Sequence, residues 1–250
     1  MGSVDCVEND IRKKVLECAN RPNSFAFGIG DYADSITKND PRMDMNGLAE
    51  WVEKTNIVES QRKRVKELLS PLSEEGKLLV LGTGNHEEEI HMRHDNDIVR
   101  NLCDDLKVPY GGYGYFLVLD FVRVEGHCRG HHRQYVIHAW HGAGAAQTEG
   151  ARLSRLMRLV NDIEADIYVM GHLHAITIHT PDRLVCRDGR VKAETLIALI
   201  SGSWLKTYTQ PKDGQQLNPS YGEKKGYKPS RIGSPLIQIC PDKDWFKVEV

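Results

Sequence analysis

The most informative stretch for the fold is LLVLGTGNHEEE, residues 78–89. An apolar run of the kind that forms a buried strand ends in two glycines, and Asn85 and His86 come directly after it. Glycine permits sharp turns and close backbone approach, so a polar pair can emerge where the strand ends. Ligand sites in open α/β sheets lie beyond the carboxyl ends of strands. The stretch therefore predicts an α/β sheet with a functional site at this strand end.

The composition is that of one globular domain. The chain has 250 residues, of which 40% are hydrophobic and 27% charged, and its formal net charge is -2. This length can bury one sizeable core, so we expect a single domain over residues 1–250. A protein that binds nucleic acid through bulk charge is usually basic, and the composition gives that class no support, although a local patch remains compatible with it.

Three further features bear on localisation. The sequence holds no run of eighteen apolar residues, and its first fourteen residues lack the apolar region of a signal peptide, so no membrane contact is expected. The six cysteines show no CxxC spacing. In a chain of this length they indicate reduced thiols and a cytoplasmic protein.

Hydrophobic periodicity and turn residues predict alternating helices and strands. The predicted helices cover 7–20, 45–69 (one or two helices), 95–106 and 148–163. The predicted strands cover 24–29, 77–81, 115–124, 134–139, 166–170, 176–180, 196–200 and 236–240, with a polar turn at 126–132 and a long loop at 206–233. In the first part of the chain the predicted strands alternate with helices, and in the later part strands dominate. This order favours a mixed sheet with helices on its outer faces.

Potential metal ligands lie at or near the ends of four predicted strands, and a small residue lies close to each of these ends. These ligands are Asp31 with Asp34, Asn85 with His86, His138 with His141, and His172 with His174. Carboxylate, amide and imidazole groups together suit Mn, Fe or Zn and need no thiolate. Two such ions side by side can clamp a phosphoryl group and activate water. The pattern therefore predicts metal-dependent phosphoryl chemistry.

The motifs GDYAD (30–34), GNHE (84–87), HG (141–142) and GHLH (171–174), in this order, resemble those of the calcineurin-like metallophosphoesterase superfamily. The resemblance covers residues 24–174. The later stretches SGSWLKTY (201–208) and GYKP (226–229) further resemble compact members from phage and prophage genomes. The resemblance implies a four-layer α-β-β-α fold, in which a β-sandwich of mixed sheets is flanked by helices. It also implies a dinuclear metal centre, with Mn expected first and Fe, Zn or Ni as alternatives.

The resemblance implies a role for each motif residue. The implied metal ligands are Asp31 as the bridge, Asn85, His141 and His172 on one metal, and His174 on the other. His86 would bind no metal and would face the scissile ester as general acid or phosphate clamp, with Asp34 orienting or charging it. No substrate-binding residue is implied.

The implied function is hydrolysis of a phosphodiester or phosphomonoester by a metal-activated hydroxide. A phosphodiester of nucleotide or DNA type is the preferred substrate, so a nucleotide or nucleic acid is the expected partner. The alternative is a catalytically impaired scaffold that keeps the fold and binds metal or phosphate. A second alternative is an enzyme with one metal, held by Asn85, His141 and His172.

The sequence departs from the family at its start, because no Asp-x-His motif precedes Asp31. The first residues, MGSVDC, resemble the His-x-Gly-Ser stretch that comes after that motif in the family. We therefore expect Met1 to be an internal methionine and the first strand to lie upstream. An in-frame stop codon directly before Met1 would contradict this. The alternative is that Asp5 or Glu8 replaces a missing ligand.

His138 and His141 compete for one ligand position. His141 precedes Gly142 and matches the His-Gly pair of the family, so it is the preferred ligand. His138 is then expected to point into the sheet or to support a ligand.

Overall fold

The structure is a computed structural model that describes residues 1–38, 40, 43, 45–127, 129–187, 189–208, 219–243 and 245–250. Its contacts divide these residues into two units. Unit 1 comprises Met1–Gly114 and Ser203–Gly233, and unit 2 comprises Tyr115–Gly202 and Ser234–Val250.

Helices and strands alternate along the described residues. The helices are α1 (Glu8–Asn20), α2 (Ile57–Glu74), α3 (Asn85–His94), α4 (Ile98–Leu106), α5 (Glu149–Asp162) and α6 (Tyr221–Lys224). The strands are β1 (Ala26–Ile29), β2 (Leu78–Gly82), β3 (Tyr110–Gly112), β4 (Gly114–Val122), β5 (His132–Trp140), β6 (Ile167–Met170), β7 (Thr177–His179), β8 (Asp182–Arg187), β9 (Arg190–Thr195), β10 (Ile197–Ile200), β11 (Leu236–Cys240) and β12 (Trp245–Glu249).

Unit 1 contains a three-stranded parallel sheet in the order β1-β2-β3. The register pairs Ile29 of β1 with Gly82 of β2, and Gly82 with Gly112 of β3. Parallel strands end at the same edge of a sheet, so the residues directly after β1, β2 and β3 emerge side by side. This edge is where Asp31 and Asn85 lie.

The core of unit 1 forms where α2 and α4 pack on β2. Helix α4 buries residues at helical spacing, among them Ile98, Val99 and Leu102, and its N-cap Asp97 accepts a hydrogen bond from the backbone N–H of Arg100. Leu81 of β2 is 1% exposed. The strand that precedes the GNHE motif is therefore anchored by core packing.

Unit 2 contains a five-stranded mixed sheet in the order β4-β5-β6-β10-β7. Strands β5, β6 and β10 are parallel, and β7 runs antiparallel to β10. Every residue of β6 and β10 is buried. Helix α5 packs against β6, β7 and β10 and inserts Leu156, which is fully buried. The pairs β8–β9 and β11–β12 form separate antiparallel ribbons.

The predicted α/β class, with mixed sheets and helices, is confirmed. Most predicted elements occur within a few residues of their predicted bounds, but the prediction of helix over 45–69 is wrong in its first part, because α2 begins at Ile57. The backbone of residues 45–56 bonds elsewhere: Gly47 accepts from the N–H of Val4, and Ala49 donates to the carbonyl of Gly2. These tertiary hydrogen bonds replace the helical ones.

Several elements have no counterpart in the predictions. Helix α3 is largely polar, and strands β8 and β9 expose Leu184 and Val191. These segments therefore lack the regular spacing of apolar residues from which a helix or strand is predicted. The predicted loop 206–233 contains the short helix α6, and its residues 209–218 lie outside the described residues, as does Cys128 of the predicted turn 126–132.

No helix in the part of the chain that the structure describes has both the length and the apolar character needed to cross a bilayer.

Candidate metal-binding residues

Asp31 lies in a tight turn directly beyond β1. Its φ is 56°, in the left-handed region that non-glycine residues rarely adopt, and Gly30 before it has a φ of 96°. The turn lies against the one directly after β2, since a Cβ at Gly30 would lie 2.5 Å from Cα of Gly84. Only glycine fits at that approach, and it brings the Asp31 turn and the Asn85 turn together.

Glu87 connects these two turns. Its carboxylate accepts hydrogen bonds from the backbone N–H groups of Asp31 (2.9 Å), Ala33 (3.1 Å) and Gly84 (3.0 Å). The residue is 2% exposed. Burial raises the pKa of Glu87, the charge of Asp31 raises it further, and the backbone donors oppose this. These three hydrogen bonds occupy the buried carboxylate of Glu87, which therefore holds the two turns together.

Asn85 and His86 form the first turn of α3. The backbone N–H of His86 donates to Oδ1 of Asp31 at 3.2 Å, so the carboxylate of Asp31 faces this helix start. Nδ1 of His86 lies 2.7 Å from the backbone carbonyl oxygen of Asp34. A carbonyl oxygen only accepts, so Nδ1 carries the hydrogen in this bond. The hydrogen bond that joins Asp34 to His86 thus runs through the main chain of Asp34.

In unit 2, His141 and His172 lie together at the carboxyl ends of two parallel strands. His141 comes directly after β5, and His172 comes after β6 and Gly171; the register pairs Trp140 with Met170. The two rings make a T-shaped contact with centroids 5.3 Å apart, and a ring nitrogen of each lies within 4.8 Å of the other. His141 is 2% exposed. This spacing is compatible with both nitrogens binding one ion.

The GHLH turn has a strained backbone. His172 has a φ of 66° and His174 a φ of 49°, and the N–H of Leu173 donates to the carbonyl of Gly171 at 2.7 Å. Left-handed conformations cost a non-glycine residue roughly 1–2 kcal/mol. His174 is exposed, and among the described residues it belongs to no group of three ligand atoms within 4.8 Å of one another.

The competing histidine, His138, has a different environment. It lies within β5 and is 7% exposed, and its ring contacts that of Phe116 at a centroid distance of 5.0 Å. Burial lowers the pKa of His138, and its Nδ1 has no hydrogen-bond partner among the described residues. His138 therefore packs in the sheet, three residues before the strand end where His141 lies.

The two alternative ligands near the start of the chain also have distinct partners. The carboxylate of Glu8 pairs with the guanidinium of Arg64, and its Oε1 lies 3.7 Å from Nη2 of Arg12. Burial raises the pKa of Asp5, and the negative charge of Glu223 raises it further. Glu8 is thus committed to ion pairs within α1 and with α2, whereas Asp5 is a half-buried carboxylate with a raised proton affinity.

One further residue at the edge of the unit 1 sheet has no role in the sequence prediction. Tyr113 is the first residue beyond β3, and its pKa is raised to about 12 by burial and by the charges of Glu88, Asp31 and Glu87. Strand β3 was not predicted, because it has only three residues and carries little strand signal. The polar and aromatic run YGGYGY at 110–115 was the available signal.

The donor chemistry fits a borderline divalent ion. Asp31 offers a carboxylate and Asn85 an amide in unit 1, and His141 and His172 offer neighbouring imidazoles in unit 2. Such ligands suit Mn, Fe or Zn. Comparison of the chain with protein-family models, with curated proteins and with solved structures found no match.

Proposed function

We propose that this protein is a metal-dependent phosphoric ester hydrolase with the four-layer metallophosphoesterase fold. The observation that carries the proposal is backbone strain at predicted ligands: Asp31, His172 and His174 all have positive φ. Strained non-glycine backbone concentrates at functional sites, where the surrounding structure maintains it. Turn residues such as asparagine or glycine would hold these turns at lower cost, so carboxylate and imidazole at these positions support a chemical role.

The proposed ligands are Asp31, Asn85, His141, His172 and His174, as the motif resemblance implies. The residues of each unit support this assignment separately: Glu87 holds the Asp31 turn, and the β5–β6 register brings His141 beside His172. Divalent ions bound there would neutralise phosphoryl oxygens and make water a stronger nucleophile.

His86 is the proposed proton donor to the leaving oxygen. Its Nδ1–H donates to the Asp34 carbonyl, which fixes the ring and leaves Nε2 as the nitrogen that can meet the ester. When Nε2 also carries a proton, it can transfer that proton to the leaving alkoxide. This role requires the ring orientation of His86, and the Asp34 main chain supplies it.

The proposed substrate is a phosphodiester, with a nucleotide or nucleic acid as the preferred source, on the strength of the resemblance to phage-type members. The direct test measures Mn binding by isothermal titration calorimetry and hydrolysis of bis(p-nitrophenyl) phosphate. We expect Mn-dependent turnover in the wild type. His141→Ala and His172→Ala should each weaken Mn binding by about tenfold or more. His86→Ala should keep Mn binding but lose turnover.

His138→Ala is the matched control for His141→Ala, because it removes a buried imidazole from the same strand region. If His138→Ala weakens Mn binding and His141→Ala does not, the ligand assignment is wrong. Mn binding without hydrolysis by the wild type would favour the scaffold alternative. A protein that neither binds Mn nor hydrolyses the ester would contradict the proposed function.

A further inference from the structure

We propose that Tyr113 is a substrate-binding residue, whose phenol donates a hydrogen bond to a non-bridging oxygen of the phosphate ester. This inference rests on the proposed function and adds a residue that the motif series does not contain. It concerns unit 1 alone, where the ends of three parallel strands carry Asp31, the Asn85–His86 pair and Tyr113.

The position of Tyr113 is fixed by the pairing of β2 with β3. Gly82 pairs with Gly112, and the N–H of Thr83 donates to the carbonyl oxygen of Gly112 at 2.8 Å. The peptide that joins Gly112 to Tyr113 therefore lies beside the turn that leads into α3. Because that turn delivers Asn85 and His86, Tyr113 emerges at the same sheet edge as the proposed metal ligand and proton donor.

The charges around Tyr113 explain why a phenol is useful there. Burial opposes the ionisation of Tyr113 most strongly, and the negative charges of Glu88, Asp31 and Glu87 oppose it further. A phosphate ester that approaches these carboxylates is repelled by them. A phenol is a neutral donor at ordinary pH, so it can bind a phosphoryl oxygen without adding further negative charge.

Phenylalanine at this position tests the hydroxyl alone, because Tyr113→Phe keeps the half-buried ring. Tyr110→Phe is the matched control. Tyr110 is the first residue of β3, the strand that Tyr113 follows. The hydroxyl of Tyr110 interacts with Thr83, and Cζ of Arg100 lies 4.3 Å from the centroid of its ring. The control thus removes a hydroxyl from the same region without a proposed contact to substrate.

The experiment measures binding of inorganic phosphate by calorimetry, with and without Mn, together with kcat and KM for bis(p-nitrophenyl) phosphate. We expect Tyr113→Phe to weaken phosphate binding and to lower kcat/KM by about tenfold or more, as for loss of a hydrogen bond to a charged group. The Mn affinity of Tyr113→Phe should stay at the wild-type value, and Tyr110→Phe should bind phosphate as the wild type does.

Three results would overturn the inference: wild-type phosphate binding by Tyr113→Phe, an equal loss in Tyr110→Phe, or a loss of Mn affinity in Tyr113→Phe. The third result would mean that the hydroxyl acts through the metal ligands. The proposed function fails separately, if the wild type neither binds Mn nor hydrolyses the ester. In that event the calorimetry of phosphate binding tests the role of Tyr113 by itself. Phosphate binding that is lost in Tyr113→Phe supports the inference, and a wild type that binds no phosphate overturns it.

Discussion

The carboxylate of Glu87 accepts a hydrogen bond from the backbone N–H of Asp31 at 2.9 Å, across 56 residues of sequence. The same carboxylate accepts from Gly84 and Ala33, so one side chain holds the turn after β1 and the turn after β2. Glu87 is 2% exposed, so water competes little for these hydrogen bonds. Glu87 therefore sets the position of Asp31 relative to the start of α3.

Replacing Glu87 with glutamine should destabilise unit 1. A carboxylate offers acceptors on both oxygens, whereas glutamine turns one of them into a donor that faces a backbone N–H. We expect Glu87→Gln to lower the free energy of unfolding by about 1–3 kcal/mol and to weaken Mn binding. Urea denaturation and calorimetry check this, with the exposed neighbour Glu88→Gln as control. Equal stability of the two variants would contradict the role assigned to Glu87.

Asp34 and His86 should respond differently to substitution. The hydrogen bond to Nδ1 of His86 involves the carbonyl of Asp34, and Asp34→Asn keeps that carbonyl. We expect Asp34→Asn to retain most of the proposed phosphodiesterase activity, whereas His86→Ala should lose about 10²–10⁴-fold in kcat. Steady-state kinetics of the two variants measure this difference in kcat. A loss in Asp34→Asn as large as that in His86→Ala would mean that the carboxylate charges the ring.

The strained turn at GHLH predicts an unusual order of stabilities. Glycine normally destabilises a chain relative to alanine, but at a φ of 49° it avoids the steric cost that alanine retains. His174→Gly should therefore be more stable than His174→Ala, by about 1 kcal/mol. At His179, within β7, the order should reverse. Thermal denaturation of these variants tests the prediction, and the same order at both positions would refute it.

Cys103 should make the protein less stable in alkali. Burial, with the charges of Asp104 and Asp97, raises the pKa of the Cys103 thiol to about 11, above its ordinary value of 9.0. The folded state thus holds the proton more tightly. This contribution to stability is complete below pH 9 and is lost as the pH rises through 11.

Cys103→Ala should remove that part of the pH dependence. We expect the fall in the free energy of unfolding between about pH 8.5 and 11 to be smaller in the variant by about 1–2 kcal/mol, since one pKa unit corresponds to about 1.4 kcal/mol. Urea denaturation across this range measures it, and Cys186→Ala, at an exposed thiol, is the control. Parallel stability curves for wild type and Cys103→Ala would contradict the prediction.

Much of the local structure was predictable because short-range patterns encode it. The apolar run before GNHE becomes β2, and the helical spacing at 148–163 becomes α5. The failures arose where tertiary hydrogen bonds override local signals. Gly47 and Ala49 bond to Val4 and Gly2 in a segment predicted as helix, and the polar segment 85–94 is helical although it has few apolar residues.

The α/β class and the order of the polar residues at the strand ends came from the sequence alone, since strand period, glycine turns and motif spacing are local properties. The contacts of these residues depended on tertiary structure. The pairing of β5 with β6 places His141 against His172, and the burial of Glu87 ties Asp31 to α3. The short strand β3 brings Tyr113 to the edge of its sheet. Hydrogen bonds and strand registers between residues far apart in sequence are set by packing, and no local pattern specifies them.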